Sequence, residues 1–433
     1  MSARFPGEPF SPDRLPDPNA PAPGPESIFH TIYRAAVTGA DAYRVTRTAV
    51  RREGTVLRLG NRFVPLARYH EIAFLALGSA AVSQALAVSA ALGDRLTQGF
   101  VVGPDPLPRE VPFRSRVEPT GWPARSPVAD EAVELAGGLT ERDLLLVLLS
   151  PGALGFLAKT PADVPVDEWT RWLHALPDRG ATSGEVSLAV RVLADGAVGG
   201  RLAAATRADV SCLVVDRGDG AGTLGGGPTR AVTAEETARV RTLLDRTRSA
   251  PAWALARLDR RRADTPASLP RTDRPVAVAT PADALHEVDE AVREKRWRAI
   301  LGELKIEASP EATADRLLER TEEILRTEDP AAAVGGKASR GLIVFAGASL
   351  GVPEGVDDRP AIARFLSQAA TRLGRREASV GIVRTAGGPP DLAAPGGVVL
   401  PTGPGARPTL QPLRMRPGIT DVGLLAAMVV PVK

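Results

Sequence analysis

The chain has little of what builds covalent frameworks, metal centres or membrane anchors. A single cysteine, Cys212, in 433 residues excludes a disulfide framework or a cysteine-rich zinc site within one chain. It lies in the apolar run Cys212-Leu213-Val214-Val215, so it reads as a small buried hydrophobe in a reducing compartment. The four histidines, His30, His70, His174 and His286, share no short spacing, which argues against a metal cluster or a nucleophile triad and for surface or core positions. The longest membrane candidate, residues 72–92, is broken by Gly78 and carries Ser79, Ser83, Gln84 and Ser89, so no membrane span is expected. The net charge is only +3 and its contributors are mixed along the chain, leaving no basic stripe for nucleic acid. Residues 1–25 lack the basic start and apolar core of a secretory signal, so the expected location is cytoplasmic.

What is present is the composition of a globular protein, 44% apolar and 24% charged, in a chain too long for one ordinary core. Residues 1–26 are so rich in proline that a disordered arm, or an arm lying on a neighbour, is expected. Prolines 266, 270 and 275 mark a linker, which divides the remainder into a domain at 27–268 and a second at 269–433.

The most legible stretch runs from Asp143 to Thr229. Its six apolar residues Leu144 to Leu149 stop at Ser150-Pro151-Gly152, and the run at Cys212 stops at Asp216-Arg217-Gly218-Asp219. Short apolar runs that end in loops of small residues are buried strands of a parallel α/β sheet, where ligands sit beyond the carboxyl ends. Upstream, 71–77 is a strand running through Gly78 into a helix to about Leu92, whose free N–H groups would face a ligand. A helix is expected from Ser27 to about Arg51, a hairpin at 54–64 turning at Gly60-Asn61, and a strand at 98–102. Helices are expected at 128–137, with Ser126 as cap, at 166–176, at 183–193, and through much of 230–262. The carboxyl part is read as strands at 275–279, 341–347, 380–383 and 422–430, with helices at 281–295, 310–326 and 362–373, so it too is α/β.

The order of landmarks resembles the glycerate 2-kinases whose carboxyl domain is called MOFRL. That family has a strand leading into Gly-Lys-Ala-Ala, where this chain has Leu77-Gly78-Ser79-Ala80-Ala81. Its apolar strand ending in Ser-Gly-Gly-Gly-Ser-Ala corresponds to Leu149-Ser150-Pro151-Gly152-Ala153. Its Asn-x-Val-Arg and Lys-Gly-Gly-Arg-Leu-Ala correspond to Leu188-Ala189-Val190-Arg191 and Val198-Gly199-Gly200-Arg201-Leu202-Ala203. Its Ser-Asp-Val-x-Gly-Asp and Ser-Gly-Pro-Thr correspond to Val215-Asp216-Arg217-Gly218-Asp219 and Gly226-Gly227-Pro228-Thr229. The resemblance implies two α/β domains, a larger Rossmann-like amino-terminal one with a parallel sheet and a smaller MOFRL-like one. It implies transfer of the ATP γ-phosphoryl group, with magnesium, to the 2-hydroxyl of glycerate in the cleft between them.

Residue by residue, the resemblance assigns Arg201, Arg191 and Ser79 to catalysis. It assigns Gly78, Ser150, Gly152, Gly225, Gly227 and Thr229 to the nucleotide, and Asp219 and Asp216 to the metal. Several chemical groups are missing, however. The two lysines of the family pattern are Ser79 and Val198, its asparagine is Leu188, and Pro151 removes an N–H from the loop. Its Gly-Gly-Glu and Thr-Asp-Gly become Ala346-Gly347-Ala348 and Thr385-Ala386-Gly387, which removes two carboxylates. Losing one preorganised stabiliser of transition-state charge costs roughly 3 kcal/mol or more. The expectation is therefore a glycerate kinase-like protein with impaired or lost activity, using ATP and magnesium if active and no cofactor otherwise. The alternative is a non-catalytic member that binds a hydroxy acid, a nucleotide or a protein partner. A homodimer is the family expectation. For Arg201 and Arg191 the competing assignment is structural pairing, for Asp219 a turn cap, and for the glycines a sharp bend of the backbone.

Overall fold

The computed structural model describes residues 25–39, 41–118, 127–216, 226–261, 269, 272, 275–332, 334, 336–337, 339–350, 359–373, 378–384, 396–400, 409–412 and 424–431. The arm up to residue 24, Ser126, Asp219, Gly225 and the loop at 385–395 fall outside these residues.

Strands β1 (Val50–Glu53), β2 (Val56–Leu59) and β3 (Arg62–Pro65) form a small antiparallel sheet. The first large sheet comprises β4 (Ile72–Leu77), β5 (Leu96–Gly103), β6 (Arg114–Val117), β7 (Leu144–Leu149), β10 (Asp209–Val215) and β11 (Val276–Ala279). Its order is β11-β10-β7-β4-β5-β6, parallel throughout. The intervening β8 (Ala158–Lys159) and β9 (Asp195–Gly196) make a two-residue ladder of their own.

Every residue of β4, β7 and β10 is buried, because both faces of the sheet are covered. The strand alternation divides the core cleanly. Ala73, Leu75, Leu77, Leu145, Val147 and Leu149 pack in one cluster with the helices Val166–Asp178 and Ser183–Leu193. Their neighbours Ile72, Phe74, Ala76, Leu144, Leu146 and Leu148 pack in another with the helix Ala81–Leu92 and the small sheet.

The second large sheet comprises β12 (Arg298–Glu307), β13 (Gly341–Ser349), β14 (Ser379–Arg384), β15 (Gly396–Leu400), β16 (Thr409–Pro412) and β17 (Leu424–Pro431). Its order is β12-β13-β17-β14-β15-β16, with β12 and β13 parallel and the other pairings antiparallel. Helices Pro310–Thr327 and Arg359–Leu373 cover one face. Helices Pro25–Gly39 and Pro281–Glu294 cover the other, through Ile28, Ile32, Ala36, Leu285 and Val288 against Ile343, Phe345 and Val429. The chain thus places its first helix on the second sheet and returns after residue 275 to add β11 to the first.

One expected element is corrected. The single helix read from Ser27 to Arg51 is two helices, Pro25–Gly39 and Ala42–Ala49, followed by β1. The break falls where Gly39 presses on the backbone of the helix Pro281–Glu294; a Cβ there would lie 2.7 Å from the Asp283 carbonyl. Asp41 then caps the second helix by accepting from Arg44 N–H at 2.9 Å. Among the described residues no helix is long and apolar enough to cross a membrane.

Candidate functional site

Parallel pairing brings the carboxyl ends of β4, β7 and β10 level, since Leu77 pairs with Leu149 and Leu149 with Val214. Three turns therefore meet: Gly78-Ser79-Ala80, Ser150-Pro151-Gly152 and Asp216. Gly78 at φ 110° and Gly152 at φ 92° hold left-handed conformations that a side chain would strain. A Cβ on Gly78 would also overlap the Ser150 carbonyl and hydroxyl. The glycine is required by this close approach.

The approach is made by hydrogen bonds. The fully buried Ser150 hydroxyl accepts from Ala80 N–H at 2.9 Å and donates to the Leu77 carbonyl at 3.0 Å. Ser79 N–H donates to the Pro151 carbonyl at 2.8 Å, and Gly78 N–H to the Val102 carbonyl at 3.0 Å. These three N–H groups lead into the helix Ala81–Leu92, where an anion would be cradled. Each of them bonds within the chain. Ala80 packs with Ala42, Val215 and Ala279, and Asp216, 6% exposed, donates its N–H to the Ala279 carbonyl at 2.8 Å.

The second group of expected residues lies around Gly199-Gly200. Gly200, at φ 85°, donates its N–H to the Gly227 carbonyl at 3.1 Å, and a Cβ there would lie 2.7 Å from Ala231 N. Gly227 is pressed against the Leu154 side chain. The fully buried Thr229 hydrogen-bonds with Cys212, whose thiol burial pushes up to about 12.

Arg201 donates through Nε to the Gly196 carbonyl and through Nη2 to the Ala194 carbonyl, both at 2.6 Å. Arg191 is wholly buried; its Nη2 donates to the carbonyls of Arg230 and Ala231 at 2.9 Å, and it pairs with Glu236. Burial lowers Arg191 from its ordinary value, which Glu236 opposes. For Glu236 burial acts upward, but the Thr233 N–H and the arginines Arg191 and Arg230 outweigh it and hold the carboxyl below the usual range. Glu236 and Thr233 also form the capping box of the helix Ala234–Arg246. Both arginines thus hold backbone turns. Val198 and Leu188, standing where the family pattern has lysine and asparagine, belong to the apolar core.

Two contributors were not read from the sequence. The bridging role of Ser150 needs the register of β4 against β7, which no local motif reveals. Glu236 as the partner of Arg191 was reachable in part, since Thr233-x-x-Glu236 is a capping-box signature. Of the metal candidates, Asp216 is at the strand ends and Asp219 is outside the described residues, among which no three His, Cys, Asp or Glu side chains gather.

A parallel α/β layer with glycine turns at its strand ends, followed by a mixed sheet, defines a two-sheet α/β protein. The family described as "Domain of unknown function (DUF4147)" matches residues 28–258, more than half of the chain, and the protein belongs to that family. Its fold is similar to that of glycerate kinase from Thermotoga maritima, with a TM-score of 0.65 at 17% identity over 94% of this chain and 99% of that one, and to that of the PH0495 protein from Pyrococcus horikoshii OT3, with a TM-score of 0.63 at 17% identity over 94% and 98%. No curated protein matches the chain. The resemblance to glycerate 2-kinases read from the landmarks thus meets a family match over residues 28–258 and a likeness of fold to a glycerate kinase.

Proposed function

We propose that the protein is a glycerate kinase-like member in which ATP-dependent phosphorylation of glycerate is impaired or lost. The observation that carries this reading is the pairing of Ser79 and Ala80 N–H with Pro151 and Ser150. Phosphoryl transfer depends on N–H donors and cations aimed at the phosphate oxygens. Donors already bonded within the chain must give up those bonds before they can serve a nucleotide. The cations are short as well: Val198 and Ser79 carry no charge, and Arg201 bonds to two carbonyls.

In an active form, Arg201 and Arg191 would supply positive charge, and Ser79, Gly78, Ser150, Gly152, Gly225, Gly227 and Thr229 would line the nucleotide. Asp216 and Asp219 would hold magnesium, which neutralises phosphate charge when bound. Glycerate phosphorylation by purified protein with magnesium-ATP tests the reading. Little or no turnover is expected; turnover comparable with ordinary kinases, abolished by Arg201→Ala, would contradict it.

The second reading is a non-catalytic protein that binds a metabolite or a protein partner. It is favoured by a groove of about 460 Å³ beside β11, lined by Arg44, Arg58, Asn61, Asp283, His286 and Glu287 among others. Thermal shift with hydroxy acids, run beside magnesium-ATP, separates the two, because only a ligand of the native state raises the transition.

A further inference from the structure

A second recess lies between the helix Val166–Asp178 and the turn 248–251 that leads into the helix Ala252–Arg261, apart from the strand-end turns. Its volume is about 350 Å³, and its lining includes Arg171, Arg179, Arg248, Glu168, Trp172 and Trp253. Trp172 and Trp253 form its apolar back, with the buried Trp169 packed against both; the three ring centroids stand 5.1–5.6 Å apart. Both indole N–H groups at the recess are fixed: Trp172 donates to the Ser249 carbonyl at 3.1 Å and Trp253 to Glu168 at 2.9 Å.

The turn carrying Arg248 is fixed too. Arg179 donates to the Arg248 carbonyl at 2.9 Å, and Arg246 to the Gly180 carbonyl at 3.0 Å. Arg248 ends its helix at φ 49°, with its N–H on the Asp245 carbonyl and Ser249 N–H on the Leu244 carbonyl. Glycine usually takes that position, so arginine holds it under backbone strain. Arg296 adopts a similar turn, so strain alone points to no ligand. The convergence of charge does. Arg171, Arg179 and Arg248 are exposed, and among the described residues none of them is ion-paired, whereas Glu168 contributes the one acidic side chain of the lining. Three arginines beside one carboxylate leave an excess of two positive charges over an aromatic floor.

We propose that this recess binds a compact dianion carrying a flat ring, of the chemical class of an aryl phosphomonoester. The arginine forks suit phosphate oxygens, and the tryptophan edges with Ala250 and Pro251 suit the ring. The recess is independent of whether the strand-end turns accept a nucleotide.

The test is titration of the full chain with phenyl phosphate, read by tryptophan emission, with inorganic phosphate and phenol as separate arms. A saturable change is expected with phenyl phosphate, weaker binding with phosphate and none with phenol. Arg171→Gln and Arg248→Gly should each weaken phenyl phosphate binding roughly tenfold, the loss of one charge-assisted bond. Arg248→Gly relieves the positive φ, so its thermal midpoint should hold or rise, which separates lost binding from lost fold. No saturable change in the unaltered chain, or undiminished binding in both variants, would overturn the proposal. An equal response to inorganic phosphate would overturn the assignment of a ring-bearing ligand.

Discussion

Ser150 and Ala80 are 70 residues apart in sequence, yet the Ser150 hydroxyl accepts the Ala80 N–H at 2.9 Å in a fully buried position. That bond fastens the turn after β7 to the start of the helix after β4. Ser150→Ala leaves the Ala80 N–H and the Leu77 carbonyl without this partner. A loss of about 1–3 kcal/mol is expected in urea unfolding, the range for a buried polar group left unsatisfied. An unchanged midpoint would remove the bond from the account of stability.

Gly78 should tolerate substitution far less well than a glycine of similar backbone in open space. Gly78→Ala combines a positive φ with overlap of the Ser150 carbonyl, for about 3 kcal/mol of destabilisation. Gly54, at φ 63° with nothing near its missing side chain, should cost only about 1 kcal/mol as alanine. Paired chemical denaturation of the two variants gives the comparison directly.

Arg191 and Glu236 should couple stability to acid. The carboxyl of Glu236 is held below its ordinary value, so its contribution is present above the unfolded-state pKa and fades as pH falls through the folded-state one. The stability gap between the unaltered chain and Glu236→Gln should therefore be largest near neutrality and shrink below about pH 4. Arg191→Met should cost about 3 kcal/mol or more at neutral pH, because it leaves Glu236 and two backbone carbonyls short of a partner. A pH-independent gap would dissociate the pair from acid sensitivity.

Cys212 should be inert while the chain is folded. Its thiol is buried and pushed up to about 12, so almost no thiolate exists at neutral pH. Maleimide labelling at pH 7.5 should be negligible in the native protein and complete after denaturation. Rapid labelling under native conditions would contradict the burial.

Much of this fold was legible because its central strands are continuous apolar runs ending in glycine and serine. The runs at 71–77, 144–149 and 212–215 announce themselves, and they lie in β4, β7 and β10. Less legible were elements whose pattern depends on tertiary partners. β12, Arg298–Glu307, alternates apolar with charged residues and went unread between two helices, and the polar edge strand β6 carries no apolar signal. The helix break at Gly39 follows from contact with a helix more than 240 residues later. At the candidate site, the loss of the lysines and the asparagine was visible in sequence, whereas the core packing of Val198 and Leu188 was not. The arginines carried the same ambiguity: only coordinates reveal that Arg201 and Arg191 bond to carbonyls of their own chain.

In the proposed reading, the N–H groups before the helix Ala81–Leu92 serve the fold in place of a triphosphate. Calorimetric titration of the purified chain with magnesium-ATP tests it most directly. No saturable heat is expected at millimolar nucleotide for the unaltered chain. A stoichiometric binding isotherm, lost when Ser79 is changed to proline while the fold persists, would contradict it.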